Sequence, residues 1–207
     1  MFFLISGGAA SGKTTAARLL PEYLEQVVCH DADEIPAVDG PTRCANLETW
    51  VRRALEAQQR GLDFLLTAHS PLGELLACLS APELAGIAAC LLDCADPVRI
   101  DRIRARGVDP RWPPGQHTLS WASWHRMHAR DPQWEPQVIE ENGPPSHHYH
   151  RWRGWTSDDP RWQVLVLDTT EWTEQQTIDA LIDWAQLART KPALLAPTTR
   201  WWEADHR

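Results

Sequence analysis

Five short apolar runs are spread along the chain, and segments with helical periodicity separate most of them. Apolar runs bounded by turn residues are typical of buried parallel strands. In the segments between them, apolar residues recur every three to four positions, which predicts amphipathic helices. This alternation predicts an α/β fold, an open parallel sheet with helices on both faces. The strands are expected at 2–6, 27–30, 63–67, 87–92 and 163–167, and the main helices at 12–24, 47–60, 72–79, 96–106 and 173–188.

The loop after the first strand carries the most specific motif in the chain. Residues 7–14 match the phosphate-binding pattern G-x-x-x-x-G-K-[ST] at every fixed position. In this pattern, backbone N–H groups and the lysine bind the phosphates of a nucleoside triphosphate, and the last hydroxyl ligates Mg²⁺. We therefore expect Thr14 on the metal. The expected nucleotide contacts are Gly7, Gly8, Ala9, Ala10, Ser11, Gly12, Lys13, Thr14 and Thr15, with Lys13 also catalytic.

Carboxylates follow the second predicted strand, at the edge of the sheet where ligands of open parallel sheets bind. Asp31 and Asp33 are two positions apart in a segment expected to be extended, so their side chains should point to the same side. One would orient the metal, for which Asp31 is the candidate, and one would take the proton of an attacking hydroxyl. Which of the two is the base stays open. Asp33 and Glu34 are candidate substrate contacts.

The third strand ends in Thr67-Ala68-His69-Ser70, without an acidic residue. Motor ATPases and switch GTPases place an aspartate at this point, so its absence favours a small kinase. His69 is a candidate substrate contact, and a structural turn is the alternative.

Three arginines lie on one face of the helix predicted at 96–106. Arg99, Arg102 and Arg106 are spaced at i, i+3 and i+7, and Asp101 is the acidic residue that offsets them. Arginine donors stabilise the charge of a transferring phosphoryl group. Arg99 and Arg102 are therefore candidate nucleotide contacts, and Arg102 and Arg106 candidate catalytic residues. A solvated, salt-bridged helix is the alternative.

The segment 107–161 has no strand candidate and is rich in proline, histidine and tryptophan. We interpret it as a folded lid or cap with a helix at 119–128, because tryptophan is costly to leave in water. Trp121, Trp124 and His125 are candidate substrate contacts, and the alternative is that such residues form the core of the cap itself. The histidines suggest zinc, but the segment has no cysteine and its proline-rich spacing does not resemble a compact metal site.

Composition and charge limit the kinds of partner that the protein is expected to bind. A net charge of −8 and a pI near 5.5 disfavour binding to nucleic acid. Five scattered cysteines, no basic leader and no apolar run of membrane-spanning length predict a cytoplasmic protein with no membrane partner. We expect a single domain at 1–188 with 107–161 as its insertion, followed by a tail at 189–207. The protein could also form a homodimer, which the sequence does not decide.

Taken together, these features resemble the P-loop kinases of the nucleoside, shikimate, gluconate and adenylate kinase group, including antibiotic-modifying phosphotransferases. The resemblance covers residues 1–106 and 163–188 and rests on the loop 7–14, the Asp31-x-Asp33 pair, the three arginines and the turn Asp168-Thr169-Thr170. It implies a three-layer fold with a five-stranded parallel sheet in the order 2-3-1-4-5, and a lid that closes on ATP. It also implies that Asp168 and Thr169 lie against the adenine.

The resemblance implies phosphoryl transfer from Mg²⁺-ATP to a hydroxyl group of a small molecule, such as a nucleoside, a sugar or an antibiotic. The alternatives are a nucleotide-dependent regulatory NTPase, or an ATP-binding protein without catalysis, in which the aromatic cap binds a partner.

Overall fold

Five parallel strands form one sheet in the order β2-β3-β1-β4-β5, as the family resemblance implied. The computed structural model describes residues 1–37, 39–107, 115–141 and 143–203. The central strand β1 pairs with β3 on one side and β4 on the other, so that Leu4 lies beside Leu66 and Ala89. The strands are β1 (Phe2–Gly7), β2 (Val27–Asp31), β3 (Asp63–Ala68), β4 (Ile87–Asp93) and β5 (Val164–Asp168).

Helices connect the strands and cover both faces of the sheet. The helices are α1 (Lys13–Leu19), α2 (Gly40–Gln59), α3 (Leu72–Ala77), α4 (Asp96–Ala105), α5 (Gln116–Arg130), α6 (Gln137–Glu140) and α7 (Glu174–Thr190). Short 3₁₀ turns lie at Leu20–Glu22, Ala32–Glu34, Ala81–Glu83, Tyr149–Arg151 and Pro197–Thr199.

Two hydrophobic cores lie on opposite faces of the sheet, because side chains alternate along each strand. Phe3 and Ile5 of β1 face α1 and α7. Phe2 and Leu4 face the other side, where α2, α3 and the tryptophan-rich segment pack. All of β1 is buried, as a strand between two helical layers should be. The predicted three-layer α/β fold is confirmed.

Two helices differ from their predicted bounds for local chemical reasons. Helix α1 ends at Leu19, not Leu24, because Pro21 lacks a backbone N–H and the chain tightens into a 3₁₀ turn there. Helix α2 begins at Gly40, seven residues before the predicted start, because the Asp39 side chain accepts a hydrogen bond from the N–H of Thr42 at 2.8 Å.

Helix α4 has Ala95 at its N-cap, and Asp96 and Pro97 occupy its first turn. The N–H of Ala95 is bound by the hydroxyl of Thr170 at 2.8 Å, which connects this helix start to the end of β5.

The later part of the tryptophan-rich segment is a wall of the hydrophobic core. Trp152 is fully buried, and its indole N–H donates to the carbonyl of Gly73 in α3 at 2.9 Å. Arg151 donates to the carbonyls of Leu76 and Cys78, which satisfies the open C-terminal end of α3. The interpretation as a cap therefore does not hold for this part, since its rings are needed inside the fold. Residues 108–114 of the predicted lid lie outside the described residues.

The C-terminal tail also packs against this wall. Trp201 is buried with its ring 6.3 Å from that of Trp155, and Leu195 is buried as well. The predicted boundary between domain and tail at residue 188 stays a prediction, and residues 204–207 are outside the described part of the chain. Within the described residues, no helix combines the length and the apolar character needed to cross a bilayer.

The contact between α3 and Trp152 leads to a stability prediction. A Cβ atom on Gly73 would lie 2.9 Å from the Trp152 ring and 3.1 Å from the His128 ring, whereas a Cβ on Gly154 meets nothing within 4 Å. We expect Gly73→Ala to lower the free energy of unfolding by about 1–3 kcal/mol, because overpacking forces rings apart. Urea unfolding would measure it, with Gly154→Ala as the control, expected to be neutral or slightly stabilising. Equal effects of the two variants would contradict this packing.

Candidate active site

The loop between β1 and α1 has a conformation that depends on its glycines. Gly12 has the left-handed φ of 105° and caps α1. A Cβ on Gly7 would lie 2.5 Å from the carbonyl oxygen of Leu92, so no larger residue fits. The hydroxyl of Ser11 is buried and has no hydrogen-bond partner within the described chain. The loop thus has a polar atom that no described residue satisfies.

Lys13 lies beneath this loop with 8% of its surface exposed, and its Nζ donates to the carbonyl of Gly8 at 2.9 Å. Burial lowers its pKa to about 8, although the charges of Asp33 and Asp31 oppose the shift. The carboxylates of Asp31 and Asp33 therefore lie close enough for their charges to act on the lysine.

The segment after β2 is a 3₁₀ turn, so the prediction of an extended segment is wrong. Asp31 Oδ1 accepts from the N–H of Asp33 at 3.1 Å, and the Glu34 carboxylate accepts from the N–H of Asp31 at 2.9 Å. Glu34 also pairs with the His30 ring at 2.8 Å. Both oxygens of Glu34 therefore hold the turn, which leaves no oxygen of this carboxylate unpaired for the predicted substrate contact.

The side chain of Asp33 takes part in none of these hydrogen bonds. Partial burial and the charge of Asp31 raise its pKa, and the charges of Lys13 and Arg106 only partly offset the rise. A carboxylate with a raised pKa beside a lysine is suited to accept a proton.

The end of β3 contributes two polar groups to the same region. Thr67 is in register with Asp31 on the neighbouring strand, and its buried hydroxyl has no partner among the described residues. His69 follows, and the charge of Lys13 together with burial lowers its pKa well below 6.5, so the ring is neutral at pH 7. Arg43 and His125 are also close enough to act on it.

Arg99 supports the phosphate loop and has no exposed surface to offer a ligand. Its guanidinium donates to Asp93 Oδ1 and to the carbonyl of Ala9, each at 2.6 Å. Asp93 also accepts two hydrogen bonds from Arg126 of α5. The structure therefore replaces the predicted nucleotide contact of Arg99 with a positioning role. We refer to Asp93, Arg99 and Arg126 as the Asp93 cluster.

The other two arginines of α4 have different surroundings, so the three do not form one clamp. Arg102 donates to the carbonyl of Thr169 at 2.7 Å and to its hydroxyl at 3.1 Å. Arg106 is exposed at the end of α4, and its charge lowers the pKa values of Lys13 and Asp33. Of the three, Arg106 is the exposed arginine whose charge acts on both Lys13 and Asp33.

The turn after β5 is anchored to the end of β4. The N–H and the hydroxyl of Thr169 both donate to the carbonyl of Asp93, at 2.8 and 2.9 Å. Asp168 accepts from the N–H of Thr170 at 3.0 Å, and the Thr170 hydroxyl lowers its pKa by hydrogen bonding. The predicted adenine contacts thus lie on a fixed turn beside Arg102.

Trp121 and Trp124 form a stacked column with residues on either side. The Arg43 guanidinium lies 5.2 Å from the Trp121 ring, Trp121 lies 5.0 Å from Trp124, and Trp124 lies 4.7 Å from His128. The two indoles thus stack on each other and on side chains of the protein itself. Their role as substrate contacts stays a prediction.

His125 of α5 is buried near the charges of Lys13, Arg43 and Arg99. It is 1% exposed, and its Nδ1 has no hydrogen-bond partner among the described residues. Burial lowers its pKa well below 6.5, so the ring is neutral. Helix α5 packs close to the phosphate loop, since a Cβ on Gly8 would lie 3.2 Å from Ala122.

Arg43 and Glu74 form a buried ion pair that the sequence analysis missed. The Arg43 fork binds both oxygens of Glu74, with 2.5 Å between Nη2 and Oε1, and Nη1 also donates to Ser70 at 2.9 Å. Glu74 is 0% exposed. Glu74 lies on a helix whose sequence is mostly apolar, and nothing in that local pattern indicated a buried ion pair. Asp93 could have been found from the sequence, because it is the first polar residue after the apolar residues of β4.

Neither of the two cavities that stand out among the described residues coincides with this region. The larger, about 1040 Å³, lies at the opposite end of the strands, between the starts of β4 and β5 and helix α7. A second, about 440 Å³, lies between the first turn of α4 and α5. Among the described residues, no group of three or more histidines, cysteines or acids is arranged to hold a metal ion.

Two solved structures have a fold similar to that of this chain. The chain is similar to a sugar kinase from Janibacter sp. HTCC2649, with a TM-score of 0.58, 15% identity and 96% of each chain covered. It is also similar to a candidate kinase from Chloroflexus aurantiacus, with a TM-score of 0.51, 15% identity, and 91% of this chain and 94% of the other covered. The chain therefore shares its overall α/β fold with these two proteins. Its sequence matches no protein-family model and no curated protein.

The Asp93 cluster generates a second prediction. Asp93→Asn leaves the buried Arg99 guanidinium without its counter-ion, and we expect a loss of about 3 kcal/mol in the free energy of unfolding. Asp101→Asn is the control, because Asp101 is exposed and lies 3.8 Å from Arg104. Such a surface pair contributes about 0–1 kcal/mol. Urea unfolding of both variants is the measurement, and similar losses would show that the cluster contributes nothing special.

Proposed function

We propose that this protein is an ATP-dependent kinase that transfers the γ-phosphoryl group of Mg²⁺-ATP to a hydroxyl group of a small molecule. The observation that carries the proposal is the loop of residues 7–14, where the buried Lys13 lies within reach of the charges of Asp31 and Asp33. Phosphate binding, metal binding and a base for the acceptor thus meet at one end of the sheet.

The loop fits a triphosphate. Its Ser11 hydroxyl is buried without a partner, Gly7 leaves no room for a side chain, and Gly12 directs the chain into the N-terminus of α1. The N-terminus of a helix and the N–H groups before it attract phosphate oxygens. Lys13, now bonded to the Gly8 carbonyl, would turn to the β- and γ-phosphates.

Thr14 and Asp31 would hold Mg²⁺. Thr14 is exposed in the first turn of α1, and Asp31 ends β2 beside the buried Thr67 hydroxyl. When bound, the ion neutralises charge on the phosphates and stabilises the charge that develops on the transferring phosphoryl group.

Asp33 is our candidate for the base, because Asp31 is engaged in the turn while the raised pKa of Asp33 suits proton transfer. Arg106 is the candidate for stabilising the transferring group, since its charge reaches Lys13 and Asp33. His69 and His125 are the candidate acceptor contacts. The sugar kinase among the structural neighbours supports a hydroxylated small molecule as the acceptor.

The test is an ADP-release screen against hydroxylated small molecules, namely sugars, nucleosides and aminoglycosides, with Lys13→Ala as the blank. A kinase releases ADP in proportion to the acceptor present. Slow release that no acceptor accelerates would instead favour the regulatory NTPase, and ATP binding without any release would favour a non-catalytic protein.

With an acceptor in hand, we expect Asp33→Asn to lower kcat by about 100-fold or more while ATP affinity stays nearly constant, because a general base contributes to the transfer step. Glu34→Gln is the matched control, since it preserves the acceptor of the Asp31 N–H and should change kcat little. If both variants lose the same activity, the turn rather than the base is responsible.

Lys13 predicts a pH dependence of ATP binding. Because its pKa is about 8, the ligand-free lysine loses its proton as the pH rises above 8. ATP binding then requires Lys13 to take up a proton from solvent. The affinity for ATP should be insensitive to this group below pH 7.5 and should fall above pH 8 by up to about tenfold per pH unit. Titration calorimetry from pH 7 to 9.5 would show it. The same slope in Lys13→Ala would assign the effect to another group.

A further inference from the structure

We propose that the phosphoryl acceptor is a neutral, hydroxyl-rich molecule such as a sugar or a nucleoside, and that the site discriminates against acceptors bearing a carboxylate or a phosphate. This inference rests on the proposed function and concerns the same site. It depends on the Arg43–Glu74 ion pair, which removes from the site the cation that an anionic acceptor would need.

Arg43 lies on the acceptor side of the site. Its Nη1 donates to Ser70, the residue after His69, and its charge acts on both His69 and His125. An arginine so placed would be suited to bind a carboxylate or a phosphate if its charge were available. The chain instead supplies the carboxylate itself.

Glu74 occupies both arms of the guanidinium fork. The two side chains bind through two parallel hydrogen bonds, and Glu74 is 0% exposed. One face of the guanidinium also lies over Trp121. An anionic acceptor could bind Arg43 only by displacing Glu74, which would leave a buried carboxylate without its counter-ion, a change that is strongly unfavourable.

The remaining charges near the acceptor do not compensate. Asp31 and Asp33 supply carboxylates, and the described cations that act on Asp33, Lys13 and Arg106, would face the phosphates of ATP. His69 and His125 are both neutral at pH 7, as described above. Among these described residues, a negatively charged acceptor would therefore find carboxylates beside it and no unpaired protein cation to bind it.

The same groups suit hydroxyls. A neutral imidazole has one donor and one acceptor nitrogen, which matches a hydroxyl that both donates and accepts. His69 is partly exposed, so its ring has surface available to such a hydroxyl.

The experiment compares matched acceptors that differ in charge, namely glucose with gluconate and a nucleoside with its 5′-monophosphate. We expect the neutral member of whichever pair is used to have a kcat/KM at least 100-fold higher than the anionic member. Equal or better use of the anionic member overturns the inference while leaving the kinase function intact. If no hydroxylated molecule raises ADP release above the Lys13→Ala blank, the proposed function fails, and the inference fails with it.

Two variants test the cause. Glu74→Gln keeps the shape but frees the charge of Arg43, so the preference for the neutral acceptor should shrink by about tenfold or more. The double variant Arg43→Met with Glu74→Gln has no charge at either position and should keep the original preference. Replacing both members of a buried pair is tolerated better than removing one, so the double variant also serves as the folding control. An unchanged preference in a folded Glu74→Gln variant would overturn the role of the ion pair. If that variant does not fold, the comparison of matched acceptors in the unaltered protein decides.

Discussion

The carboxylate of Asp93 lies buried at the end of the fourth strand, where it binds Arg99 from α4 and Arg126 from α5. Arg99 extends this contact to the carbonyl of Ala9, so the phosphate loop is connected to two helices that lie far from it in the sequence. The backbone of Asp93 also accepts two hydrogen bonds from Thr169. The position of the loop, of both helices and of the last turn therefore depends on one acidic residue.

A second buried pair, Arg43 with Glu74, serves the opposite side of the site. In both cases an arginine that could bind an anionic ligand is neutralised by a buried acid of the chain itself. The desolvation of such charges is unfavourable unless each is paired, so the pairs are fixed features of the fold. The consequence for function is that the cations left to a ligand are Lys13 and the exposed Arg106 among the residues that act on Asp33.

The aromatic residues show how a functional expectation can be displaced by packing. Tryptophan next to a site is suited to stacking on a ligand, yet Trp121 and Trp124 stack on each other and on neighbours within the chain. Trp152 and Trp201 are buried in the same hydrophobic core as Trp124. The segment that interrupts the strand and helix alternation is thus largely structural in its described part.

The sequence by itself determined the fold class and the approximate positions of the five strands, because these depend on local apolar periodicity. Its glycine-rich motif and the edge at which parallel strands end also predicted where to look for a site. Only the tertiary structure decided which charged residues face a ligand. Arg99, Arg102 and Arg106 share a helix face in the sequence, but Asp93 and Thr169 bind the first two and leave the third exposed. Their partners come from other elements, 6 and 67 positions away along the chain, and helical spacing carries no information about such contacts.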